Sequence, residues 1–271
     1  LTTRGLTWSA GRVASLREVN DAEVLRWYAR LQRLDSGRWS EAQVEDIFAG
    51  RAPRDSNENW EDRLDARAVS LLGKVAEAVR LELPKPPEGE SRPFEMIGVP
   101  LSEPGFHVLE IESPRLGASL LEDGGPMYVR TGVLLTNLSV HVKRGRDDLL
   151  VWVTTLADAS PVADADITVL DCEGRPQARG RSNAEGIWHH LGSLDTPDYC
   201  PDTGLSGFFV SARVGAEHPQ AHGKADYSFV MSTWDRGIES WRFNIPTDGR
   251  QEPVQLSHTV FDRNLFRTGE T

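Results

Sequence analysis

The feature that most constrains the fold of this chain is a series of short apolar runs between residues 131 and 243, separated by turn residues and without a helical apolar pattern. In one of these runs, Leu149, Val151 and Val153 fall on one face of a strand. Several short strands at such spacing are typical of an antiparallel β-sandwich. The sequence therefore predicts one all-β, immunoglobulin-like domain from the runs VLLTNLSVHVK, LLVWVTTL, ADITVLD, GIWHHL, GFFVSARV and YSFVMSTW.

The N-terminal third has a different pattern, in which apolar residues recur at helical spacing. Asn20 and Ser40 are typical N-caps. The pattern predicts helices over residues 20–34, 40–50 and 60–80. Residues 94–111, FEMIGVPLSEPGFHVLEI, predict a β-hairpin, and amphipathic helices need such an apolar partner. We therefore expect residues 1–90 to be predominantly helical and to pack on this hairpin.

The fold class predicted for the whole chain is mainly β with a helical N-terminal part. We expect an α+β domain over residues 1–129 and an antiparallel β-sandwich over residues 130–246. Residues 247–271 are expected to form a linker and the first strand of a further domain. The first two domains are expected to join at residues 129–133 through apolar packing. The final letters, FDRNLFRTGET, read as the opening of a β element, and Leu1 looks like a cut end, so we expect the chain to be a piece of a larger protein.

Charge and hydropathy exclude two classes of partner. The formal net charge of −11 argues against a sequence-independent nucleic-acid binder, which needs a basic face for phosphates. No apolar run approaches the roughly 20 residues of a transmembrane helix, so we expect no direct membrane insertion by this segment.

The two cysteines, Cys172 and Cys200, each lie beside a turn in the predicted sandwich. They could be two unrelated thiols. We favour a disulfide, which would close a loop of about 28 residues and contribute roughly 3 kcal/mol. A disulfide implies an oxidising compartment.

Four separated stretches resemble the amino-terminal half of bacterial α2-macroglobulins, in that family's order. They are residues 104–121, 125–175, 229–246 and 259–271, of which the last, TVFDRNLFRTGET, is similar to the start of the next macroglobulin-like domain. The resemblance covers most of residues 94–271.

The resemblance implies a periplasmic protein, often anchored to the inner membrane by lipid, that traps proteases after they cleave an exposed bait segment. The expected partners are neighbouring macroglobulin-like domains of the same full-length chain and, through the full-length protein, target proteases. Thioester-bearing members carry a C-x-E-Q motif. Neither Cys172, before Glu173-Gly174-Arg175, nor Cys200 fits that motif.

Other polar and aromatic groups are weighed as sites and assigned structural roles. His218 and His222 beside Glu217 have metal-ligand spacing, but Pro219 argues for a loop. We expect no catalytic, cofactor or metal site and no enzyme activity. The remaining groups considered are His189-His190, Asp147-Asp148, Glu122-Asp123 and the sequon Asn137-Leu138-Ser139.

The alternative function is an immunoglobulin-like surface module, such as an adhesin or a carbohydrate binder. In that hypothesis Trp234 and Trp241 form an exposed aromatic platform. The competing interpretation, which we favour, places both rings over the end of the sandwich or a domain junction.

Overall fold

The computed structural model describes residues 13–81, 98–145, 147–195 and 197–234, and residue 242. Its contacts separate two compact units, Leu1–Trp234 and Asp235–Thr271. All helices and strands given below lie in the first unit. The linker and strand predicted at residues 247–271 lie outside the described residues.

Three α-helices occur in the described residues: α1 (Asp21–Arg33), α2 (Glu41–Phe48) and α3 (Pro114–Leu120). Asn20 caps α1 by accepting hydrogen bonds from the amides of Ala22 and Glu23. Ser40 caps α2 in a capping box with Gln43. The first two predicted helices are therefore confirmed, whereas α3 was not predicted.

The strands of the described residues are all paired antiparallel. They are β1 (Val13–Glu18), β2 (Arg38–Trp39), β3 (Leu64–Asp65), β4 (Val79–Arg80), β5 (Gly105–Ser113), β6 (Met127–Leu135), β7 (Leu138–Arg144), β8 (Asp148–Thr155), β9 (Asp166–Asp171), β10 (Pro176–Arg181), β11 (Ile187–Leu191), β12 (Phe208–Val214) and β13 (Asp226–Met231).

The N-terminal part contains a four-stranded sheet in the order β4-β1-β5-β6, and β2 pairs with β3 beside it. The predicted domain boundary between residues 129 and 130 falls inside β6, which pairs with β5 from Met127 to Leu135.

The predicted helix over residues 60–80 is wrong. This segment forms two 3-10 turns and the short strands β3 and β4. Leu71 and Leu72 are buried, as their apolar spacing predicts, but a buried and a partly buried side chain of the sheet satisfy backbone groups of this region. Glu110 accepts hydrogen bonds from the amides of Leu71 and Leu72, and Arg130 donates to the carbonyls of Leu34, Ala66 and Val69.

The hairpin predicted over residues 94–111 is also wrong. Its first arm, around Phe94 and Met96, lies outside the described residues. Its second arm is β5, a central strand paired with β1 on one side and β6 on the other. Neither edge of β5 is free for a hairpin partner. The prediction that residues 1–90 are predominantly helical is wrong for the described part, residues 13–81, where strands and irregular segments together are longer than α1 and α2.

The sandwich contains two sheets, in the orders β10-β9-β12-β13 and β11-β8-β7. All six apolar runs that predicted it contribute strands. The fold class, mainly β with a smaller helical N-terminal part, is confirmed.

The described residues of the first unit form two apolar cores. One, here called the sandwich core, lies between the two sandwich sheets and includes Leu138, Val151, Val153, Val169 and Phe208. The other, the junction core, brings together residues of α1, β1, β5, β9, β12 and β13. Strands β9, β12 and β13 are therefore covered on both faces, whereas the edge strand β10 is partly exposed.

Candidate functional site at the junction of the two parts

The junction core follows from the alternation of side chains along the sandwich strands. In β12, Phe208 and Val210 enter the sandwich core, while Phe209 enters the junction core. In β13, Tyr227, Phe229 and Met231 enter the junction core. Because successive residues of a strand point to opposite faces, one apolar strand can serve two cores.

Phe229 lies at the centre of an aromatic cluster that spans both parts of the unit. Its ring stacks on Phe209 of β12, with centroids 4.8 Å apart. It meets Phe106 of β5 edge to face at 5.5 Å and Tyr28 of α1 at 6.2 Å. Trp234 completes the cluster at 5.4 Å. Phe106, Phe209 and Phe229 are buried, whereas Trp234 is 46% exposed and lies at the edge of the cluster. The three buried rings make the contact between the two parts a packed core.

A charged group at the start of α1 links this helix to the sandwich. The carboxylate of Asp21 accepts a hydrogen bond from Arg213 at 2.7 Å and from the hydroxyl of Tyr227 at 3.0 Å. Burial, reinforced by the negative charge of Asp21, raises the pKa of Tyr227 above its ordinary value. The phenol therefore stays protonated and remains a donor to Asp21 at any physiological pH.

The direct connection between the two parts, from β6 to β7, is held by the buried carboxylate of Asp226. Asp226 accepts from the hydroxyl of Thr136 at 2.7 Å and from the amide of Asn137 at 2.8 Å. Both residues belong to the short turn between the strands, so Asp226 sets the direction in which the chain enters the sandwich.

Cys172 and Cys200 form a disulfide in the structure, with 28 residues of sequence separation, as the sequence predicts. Both cysteines are fully buried in the junction core. The segment after Cys200 contacts the N-terminal part directly. Arg33 donates to the carbonyl of Pro201, and the amide of Ala52 donates to Asp202 at 2.9 Å.

Apart from Asn137, which lies in the turn between β6 and β7, the other groups weighed as sites lie away from the junction. His218 bonds through Nε2 to the carbonyl of Ala163 at 2.9 Å, within the loop expected from Pro219. His189 pairs with Asp148 at 2.7 Å on the sandwich surface. Four further residues lie outside helices and strands: His222, Asn137, Glu122 and Asp123. Among the described residues no group of three or more His, Cys, Asp and Glu side chains could hold a metal ion.

Trp234 belongs to the junction, in agreement with the interpretation that we favoured over an aromatic platform. Its indole Nε1–H donates to the hydroxyl of Tyr28 at 2.9 Å, and its ring packs on Tyr28 and Phe229. The second residue of the hypothetical platform, Trp241, lies outside the described residues.

Sequence reasoning missed the residues that hold the junction together. Neither aspartate stands out in the sequence. Asp21 is an acidic residue in the first turn of a helix, which is a common position, and Asp226 is a polar residue beside a turn. The available signal was the apolar character of both faces of β12 and β13, since a strand with one face in water alternates apolar with polar residues. That signal predicts that the second face of β12 and β13 is buried, but it does not identify the segment that packs against it.

The sequence of residues 135–250 matches the family model described as the bacterial alpha-2-macroglobulin MG3 domain. Two solved structures of native alpha-2-macroglobulin from Escherichia coli are also similar to this chain, each at 12% identity. The one spanning domains MG0-NIE-MG1 has a TM-score of 0.41, with 82% of this chain and 55% of that chain covered. The one spanning NIE-MG1 has a TM-score of 0.45, with 84% and 85% covered. No curated protein matches this sequence. Among the described residues, none of the helices is long and apolar enough to cross a membrane.

Proposed function

From the premise that residues 135–250 are an MG3 domain of the bacterial alpha-2-macroglobulin family, we propose that this chain is a scaffold segment of a protein that inhibits proteases by trapping them. The match of the sandwich to that domain carries the proposal. The chain spans 55% of the first solved structure that it matches, so trapping is proposed for the whole protein.

The junction core supports the scaffold role. A trap has to change shape in response to a cut at one place, so the segments that transmit the change need fixed internal geometry. Here the N-terminal part and the sandwich share one buried core that includes Leu25, Phe106 and Phe209. Apolar packing alone is not directional. The Asp21–Arg213 ion pair and the contacts of Asp226 with the turn fix the orientation in which the two parts pack. We infer that the two parts move together as one body.

The proposed partners are neighbouring macroglobulin-like domains and, through the full-length protein, target proteases. A thioester in this segment is not part of the proposal. Cys172 and Cys200 are bonded to each other, and neither lies in a C-x-E-Q sequence. We propose a periplasmic location, with a lipid anchor on the inner membrane. The buried disulfide supports an oxidising compartment, and the anchor rests on the family resemblance.

The test compares this chain with the longer protein that contains it. Each is incubated with trypsin-like and elastase-like proteases, and the turnover of a large protein substrate is followed. We expect protection from the longer protein and none from residues 1–271 at equimolar concentration, because two domains have too little surface to enclose a protease. Appreciable protection by residues 1–271 alone would contradict the scaffold role.

A variant of the junction tests the link between geometry and trapping. In the longer protein, Tyr227→Phe removes the hydrogen bond to Asp21 and keeps the ring. We expect weaker protection at unchanged protease cleavage of the bait. Tyr199→Phe is the matched control, since Tyr199 is exposed on the sandwich surface. Equal protection by both variants would count against a role of this contact in trapping.

A further inference from the structure

A cleft of about 300 Å³ opens beside the C-terminal half of α1. Arginines of α1 line one wall, and the disulfide-linked sandwich turns line the other. The charged lining residues are Arg26, Arg30, Arg33, Glu173, Arg175 and Asp202. A concentration of guanidinium groups is unexpected on a chain whose formal net charge is −11. We refer to this feature as the arginine cleft.

Two of these arginines have no carboxylate partner in the part of the chain that the structure describes. Arg26 pairs with Glu23, and Arg175 pairs with Asp171 and Glu173. Arg30 and Arg33, by contrast, use one nitrogen each. Arg30 Nη2 donates to the carbonyl of Phe48 at 2.7 Å, and Arg33 Nη2 donates to that of Pro201.

Donor capacity is therefore left over in the arginine cleft. A guanidinium has five N–H donors. The Nε atoms of Arg30 and Arg33 have no hydrogen-bond acceptor but are buried, so the donors open to a ligand are those on Nη1, for which the described residues also supply no acceptor. Burial also lowers the pKa of Arg30, despite an opposing effect of Glu23, which indicates that its charge is incompletely solvated. An added anion would stabilise both groups.

The two guanidinium groups are held in place before any ligand arrives. Arg30 stacks over the ring of Trp27, with Cζ 4.4 Å from the centroid. Arg33 reaches under the turn at Gly204, where a Cβ atom would lie 2.9 Å from the guanidinium carbon. Gly204 also has a φ of +73°, so a glycine suits this position for two reasons. Fixed donors lose little conformational entropy on binding.

The local charge balance selects the type of anion. Four guanidinium groups line the cleft, and four carboxylates line it or pair with them, those of Glu23, Asp171, Glu173 and Asp202, so the local formal charge is balanced. A dianion such as phosphate would add twice the negative charge of a single carboxylate and would be repelled more strongly by Asp202 and Glu173. The volume also lies at the small end of the range for ligand pockets.

We propose that the arginine cleft binds a single carboxylate presented by a polypeptide, with Arg30 and Arg33 as its donors. An acidic side chain of a partner segment would enter between α1 and the turn after Cys200. Because α1 and the turns beside the disulfide form opposite walls, the bound carboxylate bridges the two parts of the unit.

The test follows the Nε–H signals of Arg30 and Arg33 by NMR at low salt. Arg30→Lys and Arg33→Lys assign them, since lysine has no such group. The protein is titrated with acetyl-Gly-Glu-Gly-amide, with acetyl-Gly-Gln-Gly-amide and with inorganic phosphate, at constant ionic strength. We expect saturable shifts with the glutamate peptide only, and a dissociation constant on the order of millimolar.

Variants locate the binding site. Arg33→Gln is expected to weaken binding of the glutamate peptide about tenfold, because one charge-assisted donor group is lost. Arg33→Lys keeps the charge without the planar fork and should give an intermediate loss, which preserves the test if Arg33→Gln fails to fold. Arg181→Gln is the control, since Arg181 pairs with Asp166 outside the cleft. Equal responses to the glutamate and glutamine peptides, tighter binding of phosphate, or unchanged affinity in both Arg33 variants would each overturn the proposal.

Discussion

The sandwich core and the junction core share one sheet, yet they are built in different ways. The sandwich core is formed mostly by apolar side chains of strands within residues 138–214, together with Val162, Ala165 and Ala221 from the loops. The junction core gathers residues from Ala14 to Met231 and has charged groups at its margins, such as Asp21 and Glu110. The difference teaches that a core between neighbouring strands needs only alternation. A core between distant segments also needs polar side chains to satisfy the irregular backbone that it buries.

Adjacent residues of β12 give the strongest test of this comparison. Phe208 and Phe209 are both fully buried, but Phe208 lies in the sandwich core and Phe209 in the junction core. Each change to alanine is expected to lower the free energy of unfolding by about 3–5 kcal/mol, measured by urea denaturation. Hydrogen exchange should distinguish them. We expect Phe209→Ala to raise exchange in α1, and Phe208→Ala to raise it in β8. Identical exchange patterns would mean that the two cores are not separable.

The disulfide is the next largest expected effect, and it belongs to the junction core. Replacing Cys172 and Cys200 together by alanine should lower the free energy of unfolding by about 3 kcal/mol, because the unfolded chain regains the freedom of a closed loop. The measurement is urea denaturation of the variant and of the unreduced protein. Thiol titration of the denatured, unreduced protein should find no free thiols. Two free thiols would contradict the pairing.

Glu110 tests the role of buried polar groups in the N-terminal part. Glu110→Ala leaves the amides of Leu71 and Leu72 without their acceptor. We expect a loss of about 2–3 kcal/mol in the free energy of unfolding. The matched control, Glu77→Ala, changes an exposed glutamate of the same region and should stay within about 0.5 kcal/mol. Equal effects of the two variants would show that residues 66–72 do not depend on Glu110.

The smallest expected effect is the pH dependence of the free energy of unfolding that arises from one carboxylate in each part, Asp46 and Asp171. Hydrogen bonds from Arg54 and Arg51 lower the pKa of Asp46 well below its ordinary value. For Asp171, burial acts to raise the pKa, but hydrogen bonds from Arg175 and neighbouring amides outweigh it and lower the pKa. A carboxyl with a lower pKa when folded binds fewer protons in the folded state. Its contribution is complete above the ordinary pKa of about 3.9 and is lost as the pH falls below that value.

Asp46→Asn and Asp171→Asn are therefore each expected to flatten the loss of stability below about pH 4. Urea midpoints measured between neutral pH and acid check this, with Asp198→Asn as a control on an exposed carboxylate. A variant that keeps the full acid dependence would show that its carboxyl group does not contribute to it.

More of the structure could be predicted from the sequence in the sandwich than in the N-terminal part, and the reason is physical. The strands of the sandwich, the caps at Asn20 and Ser40, and the cysteine pairing depend on neighbouring residues or on chain geometry, and they were predicted. The segment over residues 60–80 has helical apolar spacing, and its leucines are buried as expected. It is not a helix because Glu110 and Arg130, distant in sequence, satisfy its backbone groups. Propensity is overridden where tertiary partners supply the hydrogen bonds.

The sequence by itself determined the sandwich, since period-two alternation and turn residues are local signals that specify which residues form strands and which faces are apolar. The tertiary structure decided what covers the second face of β12 and β13, and it placed Asp21 against Tyr227 across 206 residues. It also brought Arg30 and Arg33 together with the turn after Cys200. Contacts of that kind depend on the packing of complete elements against each other, and no spacing along the chain encodes them.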